Sequence, residues 1–291
     1  MSKTGAEILP KLPKREPDSH KGSYGKVAVI GGSLGMAGAV YLAGKGALFS
    51  GAGLVELVVP ERIIDIISIK ITSCIAVGLM SGADGSFSTE AAAQVLSVEE
   101  KADVIALGPG IRTTEGACEV VRTAIETELP LVIDADGLNC LSIFGPEILK
   151  KRKTPSLLTP HPGEIARLLS REISDVQKDR VSAVKACCDK TGAVTVLKGH
   201  DTVVSDGERT YINPTGNPGM AVGGSGDVLT GIITGLLASC GFDPFDAACA
   251  GCWLHGAAGD IAAGEKGEIS MTAEDILDNI PDAFKKYKRR E

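Results

Sequence analysis

The densest cluster of chemically useful residues reads Asn217-Pro-Gly-Met-Ala-Val-Gly-Gly-Ser-Gly-Asp-Val-Leu-Thr230. Gly223, Gly224 and Gly226 open backbone conformations closed to other residues and let a ligand come close. An apolar run of helical length follows at 228–238, so the glycines sit at a helix N-terminus. Free N–H groups and the positive end of the helix dipole make that terminus an anion site. Asp227 is the anomaly in it. Either Asp227 or Ser225 caps the helix, or the Asp227 carboxylate accepts a proton from a hydroxyl that is about to attack a bound phosphate. The surrounding glycines and Asn217-Pro-Gly219 favour the second role.

Four other stretches carry side chains that could serve such a reaction. His161 lies between two prolines with Glu164 close behind; it either contacts substrate or helps begin a helix. Asp134 and Asp136 are either turn formers or, with Asn139, position a metal-bound phosphate through water. Lys198 starts a Gly-containing turn after an apolar run, as a phosphate or adenine-pocket group or as a solvated charge. Cys249, Cys252 and His255 look like part of a metal site, yet no second ligand pair is evident. Their spacing also carries the side chains around a helix axis, which favours packing. No Walker loop and no G-x-G-x-x-G turn is present, so an ordinary Rossmann site is not expected.

Rigid elements must stand behind these turns. Short apolar runs at 27–30, 54–59, 74–79, 104–107, 131–133, 156–158 and 194–197 alternate with helical stretches such as 38–50, 116–127 and 175–190. That alternation predicts an α/β fold, a mostly parallel sheet covered by helices on both faces. Runs at 202–205 and 210–212 flank Asp206-Gly207 and predict an antiparallel hairpin near the edge. Helices at 243–263 and 272–286 follow the one that begins at Asp227. Ligands of open α/β sheets lie beyond the C-terminal ends of the strands. The turns at 31–35, 108–110, 134–139, 159–164 and 198–202 all fall there. Residues 1–20, polar and broken by Pro10, Pro13 and Pro17, predict an arm; nothing further on reads as a linker or repeat, so 1–291 is expected to be one domain.

Composition bounds the function. With 44% hydrophobic residues, 36 glycines and only 4% aromatics, the chain suits a closely packed enzyme with many tight turns. A net charge of −7 argues against nucleic acid or a membrane surface as partner. No apolar run reaches the ~18 residues of a spanning helix, and residues 1–26 lack the apolar core of a signal peptide. Eight irregularly spaced cysteines fit a reduced, cytoplasmic protein.

Gly224-Ser-Gly-Asp227 matches the G-x-G-D helix start of the ribokinase-like superfamily. Within it, the chain resembles the NAD(P)H-hydrate dehydratases. The resemblance rests on Lys21-Gly-Ser-Tyr-Gly-Lys with Val29-Ile-Gly-Gly, Leu107-Gly-Pro-Gly, Asp134-Ala-Asp-Gly-Leu-Asn, Leu158-Thr-Pro-His-Pro-Gly-Glu, Lys198-Gly-His-Asp-Thr and Gly223-Gly-Ser-Gly-Asp. These fall in the family's order from Lys21 to about Gly259, nearly the whole chain. It implies a ribokinase-like three-layer α/β/α fold. It also implies dehydration of hydrated NADH or NADPH by phosphoryl transfer from ADP, or from ATP, to the C6 hydroxyl, followed by loss of phosphate.

By the same resemblance, Asp227 takes the hydroxyl proton while the N–H groups of Gly224, Ser225 and Gly226 hold the phosphoryl group. The hydrated dinucleotide touches Ala39, Gly110, His161 and Asp227. The adenine nucleotide lies along Lys198, Gly199, His200, Asp201 and Thr202 and at Gly226. Magnesium is implied without an assignable protein ligand, Asp134 and Asn139 being the nearest candidates. A homo-oligomer, by resemblance a tetramer, is expected. The epimerase domain that many bacterial members carry has no room in this chain, so any epimerase would be a separate protein. The alternative is a ribokinase-like small-molecule kinase that uses the same aspartate and stops at the phosphoester; a binding protein without turnover is the other rival.

Overall fold

The structure, a computed structural model, describes residues 9–99 and 101–289. Nine strands form one sheet: β1 Lys26–Ile30, β2 Leu54–Pro60, β3 Ile75–Leu79, β4 Val104–Leu107, β5 Leu131–Ile133, β6 Ser156–Leu158, β7 Val194–Leu197, β8 Val203–Ser205 and β9 Thr210–Ile212. Their order is β3-β2-β1-β4-β5-β6-β7-β8-β9. Strands β1 to β7 pair in parallel, whereas β8 and β9 pair antiparallel at one edge, as the hairpin around Asp206-Gly207 leads one to expect.

The side-chain period of two divides each strand between two helical layers. Ala28 and Ile30 face a layer made of α3 Ala91–Glu99, α4 Glu115–Glu126, α5 Asp136–Phe144, α6 Pro162–Leu169, α7 Ile173–Lys178 and α8 Arg180–Thr191. Val27 and Val29 face α1 Ala37–Phe49, α2 Ile64–Lys70, α9 Ser225–Ser239, α10 Pro244–Lys266, α11 Ala273–Asp278 and α12 Ile280–Lys288. This is the three-layer α/β/α, ribokinase-like arrangement. The central strands β1, β4 and β5 are buried and apolar apart from Lys26 at the start of β1; Val29, Leu57, Leu107 and Val132 have no exposed surface.

Two helical stretches are broken where the sequence reads as continuous. Asp179 leaves helical geometry to accept the Ser182 N–H at 2.9 Å, which separates α7 from α8. Asn279 separates α11 from α12, and Pro281 in the first turn of α12 supplies no N–H to the preceding helix. The turns at 134–139 and 159–164 are shorter than expected, because Asp136 and Pro162 already begin α5 and α6. Of the expected arm, residues 1–8 lie outside the described residues. From Leu9 onward it lies against the fold: Tyr287 Oη donates to the Pro10 carbonyl at 2.7 Å and Arg15 donates to that of Gly51 at 2.7 Å.

One contact sets the geometry of the site. A Cβ on Gly231 would stand 2.1 Å from the Ala43 carbonyl oxygen, so α1 and α9 touch backbone to backbone. Four residues further along both helices, Gly235 meets Ala47, so the two helices run parallel. Their N-terminal turns therefore lie at the same end of the sheet, the end where the strands finish.

Candidate active site

Gly224 precedes α9 in the left-handed region, with φ of +93°. A side chain there would be strained, and its Cβ would meet Leu42 Cδ1 at 2.5 Å. This glycine turns the chain so that Ser225, Gly226 and Asp227 form the first turn. Neither Ser225 nor Asp227 caps the helix through its side chain. The Ser225 N–H bonds to the Val222 carbonyl at 3.3 Å. The N–H groups of Gly226 and Asp227 have no carbonyl one turn earlier in α9 to bond to, and they stand at the positive end of a 15-residue helix. Of the expected donors Gly224–Gly226, the Ser225 N–H is engaged within the turn, and Asp227 adds its own N–H to the set.

A buried ionic cluster adjoins this turn. Asp134, just beyond β5, is 1% exposed. Its Oδ1 lies 2.6 Å from Lys198 Nζ, just beyond β7, and its Oδ2 accepts from Thr230 Oγ1 of α9 at 2.7 Å. Glu164 of α6 places Oε2 4.0 Å from the same ammonium and accepts the His161 N–H at 2.7 Å. A Cβ on Gly226 would come within 3.2 Å of Lys198 Nζ. Lys198 is thus not a solvated charge; it is the cation of a largely desolvated network. Such a network is strong only when every member is partnered.

Burial and charge move the titrations apart. Burial pushes the Asp227 carboxyl up to about 7, with repulsion from Asp134 adding and Lys198 opposing. Glu164 is also pushed up to about 7, mainly by burial, against the pull of Lys198. Burial works against the charged form of Lys198, but Asp134 and Glu164 outweigh it and hold the ammonium above its ordinary range. His161 is lowered by burial and by Lys198. Two acids that titrate near neutrality beside a firmly held cation are suited to proton transfer.

A cavity of about 830 Å³ opens against the turn of α9. Its lining includes Lys198, Gly199, His200, Asp201 and Thr202, with His161, Ser225 and Gly226. It also includes most of the loop from Asn213 to Val222 and Cys252, His255 and Gly256 of α10. The remaining candidates lie elsewhere at the same sheet edge. Ala39 is in the first turn of α1, and a Cβ on Gly110, whose φ is +68°, would come 3.1 Å from Ala39 Cβ. Gly32 N–H donates to Pro109 O at 2.7 Å and Ser33 Oγ to Gly110 O at 2.8 Å. These bonds join the loops after β1 and β4, the point at which the strand order reverses and open sheets bind ligands.

The residues suggested for magnesium are otherwise engaged. Both Asp134 oxygens are taken by Lys198 and Thr230, while the Asn139 amide is held between Asp136, at 2.8 Å, and Arg167. Among the described residues no three His, Cys, Asp or Glu side chains converge to hold a cation.

A family model for NAD(P)H-hydrate dehydratase matches residues 27–282. This chain belongs to the NAD(P)H-hydrate dehydratase family. It is 34% identical over 289 residues to the ADP-dependent (S)-NAD(P)H-hydrate dehydratase of Bacillus subtilis, 98% of each chain being covered. It is 43% identical to the bifunctional NAD(P)H-hydrate repair enzyme of Moorella thermoacetica over 96% of this chain. The chain spans 52% of that relative's length, as it spans about half of other bifunctional relatives. Among solved structures, the Bacillus subtilis ADP/ATP-dependent dehydratase co-crystallised with ATP and Mg2+ superposes with a TM-score of 0.81 at 32% identity, over 95% of this chain and 94% of that one. A hydroxyethylthiazole kinase from Pyrococcus horikoshii, at 18% identity and a TM-score of 0.60, shares the fold.

In this dehydratase-family chain the residues that sequence reasoning passed over are mostly partners of those it named. Thr230 reads as one more helical position, and Glu164 as a helix start. His161 does begin α6, its Nδ1 accepting from the Gly163 N–H at 2.9 Å, and yet its ring also borders the cavity. Cys249 is buried in the core as helix packing requires, whereas Cys252 and His255 reach the cavity. The signal for His255 is a histidine inside the otherwise uncharged, small and apolar stretch from Ala247 to Ala258 of α10.

Proposed function

We propose that the protein returns hydrated NADH and NADPH to the reduced dinucleotide at the expense of ADP or ATP. The observation that carries this reading is Asp227: a carboxyl titrating near 7 in the first turn of α9, between the Lys198–Asp134 pair and two unshared backbone N–H groups. Hydroxide is a poor leaving group and phosphate a good one. Asp227 takes the proton of the C6 hydroxyl, and the hydroxyl oxygen attacks the terminal phosphoryl group of the nucleotide. The phosphoryl–oxygen bond of the nucleotide breaks, releasing AMP from ADP or ADP from ATP. The ring nitrogen then expels phosphate, and loss of a proton from C5 restores the double bond.

The Gly226 and Asp227 N–H groups meet the charge on the transferring phosphoryl group, and one such donor is worth about 100- to 1000-fold in rate. Lys198 holds positive potential beside them. In this reading the nucleotide fills the 830 Å³ cavity, and the dinucleotide enters past Ala39 and Gly110 with His161 at the junction. A magnesium ion would be carried by nucleotide oxygens and water rather than by a protein carboxylate cage. The reading also takes residues 1–291 as one dehydratase domain in a cytoplasmic homotetramer; the eight irregularly spaced cysteines support the reducing compartment.

The test is the reduced-nicotinamide absorbance after hydrated NADH and magnesium are mixed with the protein and either ADP or ATP. Recovery with one nucleotide, lost in Asp227→Asn, supports the reading and names the donor. A stable phosphorylated alcohol with no recovery of absorbance would instead identify a kinase.

A further inference from the structure

Cys249, Cys252 and His255 share one helix, but the fold gives them different tasks. Cys249 packs with Leu157 and Val196 under the sheet. Nearly two turns further along α10, His255 enters the cavity and places Nε2 3.3 Å from Ser225 Oγ. Ser225 is buried, and its hydroxyl is freed from the usual task of a serine at a helix start because Gly224 occupies the capping position. A buried hydroxyl beside two unshared N–H groups is the third potential donor to an anion bound there.

We infer that His255 is the positioning residue of this anion cradle: its Nε2–H donates to Ser225 Oγ and thereby turns the serine proton toward a phosphoryl oxygen. The inference rests on the reading of the cavity as the nucleotide site. A neutral imidazole carries its proton on one nitrogen only. If Nε2 were the acceptor, the Ser225 proton would point at the ring and the oxygen lone pairs at the anion, which is repulsive. A bound phosphoryl group therefore selects the Nε2–H tautomer, and the chain imidazole, hydroxyl, phosphoryl oxygen polarises in one direction. Burial, with Lys198 adding, pushes His255 down to about 4. The ring is thus neutral at working pH and orients the serine without adding a second cation beside Lys198.

The test is a double-mutant cycle on the full chain with Ser225→Ala, His255→Leu and the pair, read by calorimetric titration with ADP and, in parallel, by turnover of hydrated NADH. Each single change is expected to weaken ADP binding about tenfold, the worth of one hydrogen bond to a charged group. The pair is expected to be no weaker than the worse single change, since the histidine acts through the serine. His255→Gln, which keeps an N–H donor, restores most of the affinity. Factors that multiply in the double variant, or wild-type affinity in His255→Leu, would overturn the inference. Should the wild type bind ADP without turning over hydrated NADH, the functional reading fails while the binding cycle still decides the pair. A wild type that does not bind ADP removes both.

Discussion

Replacing Asp227 with asparagine removes a carboxyl that the fold holds against its own stability. The unfolded chain loses this proton near 3.8 and the folded chain near 7. Between those values folding takes up a proton, so stability falls as pH rises through the interval. The penalty is absent at lower pH, grows across the interval and is fully present above about 7. About three pKa units at 1.36 kcal/mol each give an upper bound of roughly 4 kcal/mol. Local relaxation and water entry in a site that behaves as a medium of intermediate dielectric leave about 2 kcal/mol as the expected gain. Asparagine keeps the shape, so the variant should melt about 3 °C above wild type at pH 8, with the difference vanishing toward pH 4. Thermal or urea unfolding of both proteins at the two pH values measures it. A variant that is equal or less stable at pH 8, or one whose gain is the same at both, would refute the reasoning that Asp227 is kept strained for function.

Removing one partner of the buried pair acts in the opposite direction. Asp134→Asn leaves the Lys198 ammonium with Glu164 at 4.0 Å and the more distant Asp227; unfolding titrations should show a loss of about 3–5 kcal/mol, against about 1 kcal/mol for Thr230→Val. Gly226→Ala puts a methyl 3.2 Å from Lys198 Nζ and beside the anion cradle. Turnover should drop by about 100-fold or more while the melting temperature moves by only a few degrees. The base must be ionised to act, so log kcat/KM should rise with unit slope to a plateau above about pH 7, the value for Asp227.

Most of the framework is legible in the sequence because it obeys one rule. Strands such as 104–107 and 131–133 are apolar throughout, and only a strand buried on both faces tolerates that. The hairpin at 202–212 shows in Asp206-Gly207. The glycine turn before α9 is legible for the same reason: Gly223, Gly224 and Gly226 have no other explanation so close together. What remained hidden is pairing over distance. Asp134 and Lys198 are 64 residues apart, and nothing local says that an aspartate after one strand will neutralise a lysine after another. Each therefore reads on its own, Asp134 as a turn former or a metal position and Lys198 as a phosphate or adenine-pocket group or a solvated charge. His255 was hidden by its surroundings, since an alanine- and cysteine-rich helix reads as packing throughout. The helix breaks are hidden because a single side-chain cap at Asp179 and a single proline after Asn279 compete with a helical pattern that continues on both sides.

The central claim is that the C6 hydroxyl leaves as phosphate, and the fate of its oxygen tests this directly. Hydrated NADH prepared in 18O-water carries the label at C6. Incubated with the protein, magnesium and the donor nucleotide, it should yield inorganic phosphate bearing one labelled oxygen for each NADH formed. Unlabelled phosphate, with the label released as water, would contradict the account, because the nucleotide would then be hydrolysed beside the dehydration rather than through it.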